Sequence, residues 1–122
     1  MVNIVLFVCA HGAGRSRVAA ACFNRVAPPG WLALSAGVEP QDTLGDNAVR
    51  MLAGSGAEAW LDRDRPRPIS AVSSPARVIA IDCDVVTPGA ECWELVSHQF
   101  DQAMSTELCA RAELLARDLA GG

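Results

Sequence analysis

The first apolar stretch of the chain, Ile4-Val5-Leu6-Phe7-Val8-Cys9, has no polar break. A continuous β-branched and aromatic run of this length is the pattern of a strand buried on both faces. Gly12 and Gly14 end the run. Over residues 15–27 the spacing becomes helical, with Val18, Cys22 and Val26 four apart on one face, and Pro28-Pro29-Gly30 stops the helix. Residues 31–36 predict a second strand closed by Gly37, and residues 38–43 a loop. Residues 46–54 predict a second helix with Val49, Leu52 and Ala53 on its apolar side. The polar, arginine-rich and proline-rich residues 61–74 read as a surface connection with a short helical turn. Val78-Ile79-Ala80-Ile81 marks a third strand within residues 77–82, Pro88-Gly89 a turn, and residues 92–96 a short fourth strand. Phe100, Met104, Leu108, Ala112, Leu115 and Leu119 then repeat as one stripe of a long amphipathic helix over residues 99–119.

Strands alternating with helices predict an α/β fold, a parallel sheet with helices on both faces. Ligands of such sheets lie beyond the carboxyl ends of the strands. The first strand ends at Cys9, so the glycine-containing turn after it falls where a ligand belongs.

Composition narrows the function classes. With 122 residues, 51% apolar and 20% charged, the expectation is one domain over residues 1–122 with a real core. No apolar run approaches the ~20 residues of a membrane span, and the start lacks the basic leader of a signal peptide, so a soluble cytoplasmic protein is expected. The net charge is -4, with arginine the only strong cation. Such a chain is a poor general binder of nucleic acid or of an anionic membrane, and any affinity for anions must be local. The five cysteines form no C-x-x-C pair and only two histidines accompany them, so no metal site is expected and the thiols read as free in a reducing compartment.

The local site is Cys9-Ala10-His11-Gly12-Ala13-Gly14-Arg15-Ser16, a C-x5-R-S pattern between strand and helix. Small residues let successive backbone N–H groups of residues 10–15 turn inward around an anion. The helix opening near Arg15 adds its positive end. The planar fork of Arg15 fits two oxygens of a tetrahedral oxyanion. The same donors, with the Ser16 hydroxyl, would stabilise a Cys9 thiolate, since thiols at helix N-termini can fall from ~8.5 to as low as ~3.5–7.5.

These residues resemble the active-site loop of the low-molecular-weight protein tyrosine phosphatases and the arsenate reductases related to them. The resemblance extends to Leu34-Ser35-Ala36-Gly37, to residues 46–56, to Arg65-Pro66-Arg67-Pro68 and to residues 78–82. It implies a three-layer α/β sandwich around a four-stranded parallel sheet in the order 2-1-3-4. It also implies Cys9 as nucleophile, Arg15 as oxyanion ligand and Ser16 as partner of the thiolate.

Two departures bear on activity. The family usually carries Gly-Asn where this chain has His11-Gly12, and Gly12 offers no side chain to brace the loop. His11 is expected to face solvent, or to meet the anion if charged. The phosphatases also carry a late Asp-Pro whose Asp protonates the leaving group. Here the stretch after Trp93-Glu94-Leu95 is Val96-Ser97-His98, and Glu94, His98 and Asp101 remain as unassigned candidates. General acid help is typically worth ~100- to 10,000-fold. Cys83 and Cys92 are candidate resolving thiols of the kind thioredoxin-linked arsenate reductases use, although more widely spaced. If they are incidental, an external thiol such as glutathione or mycothiol would serve. Cys22 and Cys109 read as structural, and Arg63, Arg65 and Arg67 as a solvated loop. Three functions follow: arsenate reduction with no bound cofactor and an external thiol reductant, which is preferred; phosphomonoester hydrolysis; and oxyanion binding without turnover.

Overall fold

The computed structural model describes residues 2–85, 87 and 89–121. Four strands, β1 (Asn3–Cys9), β2 (Trp31–Gly37), β3 (Arg77–Ile81) and β4 (Glu91–Trp93), form one sheet in the order β2-β1-β3-β4. All pairings are parallel, with Cys9 opposite Gly37, Val8 opposite Ala80, and Ala80 opposite Cys92. The expected order is therefore the observed one. The central strand earns its position by composition: Val5 to Val8 are wholly buried.

Helices α1 (Arg15–Arg25), α2 (Asp46–Leu52) and α3 (Gln102–Gly121) pack their apolar sides into one core with Val5, Phe7, Ile79 and Ile81. The third layer is thin. On the other face Leu6, Val8, Ala36 and Val78 are met by Ile69 of the 3₁₀ turn Ile69–Ala71, by Val72 just after it, and by Cys83, Val85 and Ala90.

Several boundaries move. Helix α1 ends at Arg25, two residues early, and Val26 is exposed rather than on the buried face. The buried side of α2 is Ala48, Met51 and Leu52, while Ala53 lies outside the helix and exposed. Strand β4 starts one residue early and ends at Trp93, leaving Val96 87% exposed. Helix α3 begins at Gln102, because Asp101 caps it by accepting from the Met104 amide at 3.1 Å. Phe100 is thereby released from the helical stripe. The expected Pro88-Gly89 turn lies partly outside the described residues; Gly89 has φ +80°.

Cys22 and Cys109, expected as free core thiols, are joined in a disulfide between α1 and α3. The bond closes a sequence separation of 87 residues, which restricts the unfolded chain strongly. Reduction is expected to lower unfolding stability by about 2–5 kcal/mol. Urea denaturation with and without dithiothreitol checks this, with a Cys22→Ala/Cys109→Ala protein as the reductant-insensitive control.

Candidate active site

Cys9 stands at the carboxyl end of β1, 3% exposed, with its Sγ 3.1 Å from the Ser16 Oγ. A hydroxyl at that distance can donate to a thiolate. The loop that follows closes onto α1, whose first residue is Arg15 and whose N-terminus has no side-chain cap. Uncapped first-turn amides are donors available to an anion.

A cavity of about 160 Å³ opens over the loop, lined by Cys9, Ala10, His11, Ala13, Gly14 and Arg15, with Gln41, Gly45, Asn47 and Phe100 on its walls. Its size suits a small oxyanion. Of the expected anion-binding set, Gly12 alone does not line it. Gly12 has φ +67°, and a Cβ there would sit 2.7 Å from the Gly37 nitrogen and 2.9 Å from the Ala36 carbonyl carbon. Only glycine fits, for both conformation and space. His11 lies at the rim, exposed, with Nδ1 3.2 Å from the Glu39 carbonyl oxygen.

Arg15 is held from two sides. Its guanidinium carbon lies 4.6 Å from the centroid of the Phe100 ring, a cation–π contact. Its Nε lies 3.6 Å from the Asp82 Oδ2, beyond hydrogen-bonding distance, so that buried donor has no partner among the described residues. Asp82 sits just past β3 with φ +49°, a conformation Asp tolerates better than most residues. Its Oδ1 accepts from the Leu95 amide at 2.9 Å, and its Oδ2 lies 3.3 Å from His98 Nδ1. Neither Asp82 nor Phe100 stood out by type. One closes a strand and the other continued an apolar stripe, and only the tertiary fold brings them to Arg15.

The acid candidates do not converge on the loop. Asp101 caps α3, Glu94 is exposed, and His98 faces Asp82 in a separate cavity with Cys83, Asp84 and Cys92. No carboxylate lines the cavity over Cys9 among the described residues.

Cys83 adjoins the loop. It shares one cavity with Ala10, His11, Val38, Glu39 and Asp84, and another with Cys92. Its Sγ lies 3.5 Å from the carbonyl oxygen of Val8, the residue before Cys9. Burial pushes the Cys83 thiol above its ordinary range, and the neighbouring Cys9 charge pushes the same way. Cys92 is exposed on β4.

Arg17 escaped the sequence reading, because position 17 looks like an ordinary helical surface site. It is 1% exposed. Burial lowers its pKa, while Asp62 raises it. Asp62 is in turn pushed up by burial but held lower on balance by the Asp64 amide and by Arg67 and Arg17. Arg67, expected to be solvated, is instead half-buried: it donates to the Ser35 carbonyl oxygen at 2.8 Å and to the Asp62 carboxylate at 3.0 Å. Arg63 and Arg65 are exposed, as expected.

A parallel sheet in the order 2-1-3-4, with a cysteine ending its first strand and an arginine opening the next helix, defines the low-molecular-weight phosphatase fold. The structural neighbours of the chain are arsenate reductases and low-molecular-weight protein tyrosine phosphatases. An arsenate reductase from Archaeoglobus fulgidus is 29% identical, with a TM-score of 0.69 over 97% of this chain and 99% of that one. The thioredoxin-dependent arsenate reductase of Corynebacterium glutamicum is 26% identical, with a TM-score of 0.72 over 96% of this chain. The present chain spans 61% of that longer protein. A low-molecular-weight protein tyrosine phosphatase from T. tengcongensis shares the fold at 18% identity and a TM-score of 0.66, over 95% of this chain and 99% of that one. No protein-family model and no curated protein matches the chain. The neighbours support a cysteine-based oxyanion enzyme of this superfamily.

Proposed function

We propose that the chain is an arsenate reductase that works through Cys9, with Cys83 as the first resolving thiol, Cys92 as the second and an external thiol as reductant. The carrying observation is the place of Cys83, which borders the Cys9 loop on one side and Cys92 on the other. In this reading Cys9 attacks arsenic, an As–S bond forms and an oxygen leaves as water after protonation. Cys83 then attacks the Cys9 sulfur. An S–S bond forms, the As–S bond breaks, and its electron pair stays on arsenic, which falls from As(V) to As(III) and departs as arsenite. Cys92 attacks Cys83, frees Cys9 and leaves a Cys83–Cys92 disulfide. A dithiol of the thioredoxin type, or two small thiols of the glutathione or mycothiol type, returns the two electrons. Reductants of these kinds belong to the cytoplasm, the location this reading carries with it. Among the described residues no helix is long and apolar enough to cross a membrane.

Hydrolysis of a phosphomonoester is less well supported, because among the described residues no carboxylate lines the cavity over Cys9 to protonate a leaving group. Arsenate challenge of the reduced protein, followed by mass analysis of its cysteines, tests the proposal. A Cys9–Cys83 or Cys83–Cys92 bond with stoichiometric arsenite is expected. Arsenate left unreduced with every thiol system would reject it, leaving a phosphatase or a binding module according to an aryl phosphate assay. The raised Cys83 thiol adds a pH signature. Its reactive anion is scarce at neutral pH, so arsenite release should accelerate as pH rises through and above the ordinary thiol range near ~8.5. Quenched-flow arsenite release from pH 6 to 10 measures this, and a flat profile would exclude Cys83 thiolate attack as the slow step.

A further inference from the structure

Arg17 is the largest fully buried side chain among the described residues. A guanidinium is costly to desolvate unless its donors are used. Its Nε donates to the Gly12 carbonyl oxygen at 2.8 Å. Its Nη1 donates to the Asp62 carbonyl oxygen and lies 3.6 Å from the Asp62 carboxylate, while its buried Nη2 has no partner among the described residues. Asp62 is gripped by Arg67, whose own carbonyl oxygen accepts from the Gly37 amide at 2.9 Å. Gly37 is the residue that a side chain on Gly12 would strike. The oxyanion loop therefore cannot be braced by a side chain at its own left-handed position; a brace must come from outside it, and Arg17 reaches the peptide concerned.

We propose that Arg17 is a positioning residue for the oxyanion loop, fixing the Gly12 peptide through a guanidinium anchored on Asp62. The loop then keeps its anion-binding shape before any anion arrives, and binding does not have to order it. The inference rests on residues 9–15 being the anion site.

Calorimetric titration with inorganic phosphate tests it on wild type, Arg17→Met, Arg17→Lys and the Cys22→Ala/Cys109→Ala control, each with a thermal melt. Arg17→Met is expected to bind phosphate at least about tenfold more weakly while still melting cooperatively. Arg17→Lys keeps the charge but not the fork that spans Gly12 and Asp62, and should recover only part of the affinity. The disulfide control should lose stability and keep its phosphate affinity, which separates positioning from general destabilisation. A folded Arg17→Met with wild-type affinity would overturn the proposal. Should that variant not fold, wild-type affinity in Arg17→Lys overturns it and a severalfold loss supports it. Absence of phosphate binding in the wild type would sink the site reading itself, and this inference with it.

Discussion

Replacement of Cys9 by serine is expected to remove arsenite formation, by more than about a thousandfold, while leaving phosphate binding largely intact. The two effects separate because Cys9 supplies the nucleophile that forms the As–S bond, while the loop supplies the donors that hold the anion. Loss of a nucleophile that forms a covalent intermediate removes nearly all turnover. The hydroxyl that takes its place is small, and the site is already packed, with Cys9 3% exposed and 3.1 Å from Ser16 Oγ. The measurement is arsenite yield per protein under single-turnover conditions, beside a phosphate titration of the same preparation. Undiminished arsenite from the serine variant would mean that another thiol performs the attack.

Arg15→Ala should give the second large effect, through binding rather than electron transfer. Arg15 lies on the cavity wall between Phe100 and Asp82, with an unpartnered Nε. Hydrogen bonds to a charged group are typically worth ~1.5–3 kcal/mol each, roughly 10- to 150-fold in affinity. The apparent affinity for arsenate should fall within that range. Arg15→Lys should not restore it, because an ammonium cannot present two parallel donors and stacks less well on an aromatic ring. Arsenate dependence of single-turnover rates, with phosphate as competitor, reads this directly; an unaltered affinity in Arg15→Ala would exclude Arg15 as the ligand.

The alternation of strands with helices and the place of the loop could be read from the sequence because both rest on local, redundant signals, whereas the order β2-β1-β3-β4 was legible only through the family resemblance. The unbroken run Ile4 to Cys9 admits only a doubly buried strand, and the change from small residues to helical spacing at Arg15 marks where the helix starts. Strand β4 could be found but not bounded, since three residues paired at a sheet edge carry little pattern. What supports Arg15 and the loop escaped for a different reason. Phe100 fits an apolar stripe as well as it fits a cation, and the start of α3 follows from the Asp101 cap, although the buried face of Met104, Leu108, Ala112 and Leu115 keeps the expected spacing. Arg17 looks like a surface residue until Asp62, 45 positions away, is seen to meet it. The Cys22–Cys109 bond is a contact between distant helices, and spacing alone cannot show such pairings.

The near contact of Gly12 with Gly37 has a reach beyond the cavity. The end of β2 is tied to the connection at Arg67 and Pro68, through the Gly37 amide and a bridge between Gly37 and Pro68. Two backbone turns thus share one space that neither can vacate alone. Any change that swells or shifts the 67–68 crossing would be transmitted as a sideways push on the catalytic turn, so variation in that outer strip of chain should tune the enzyme's grip on its substrate without altering a single residue that touches it.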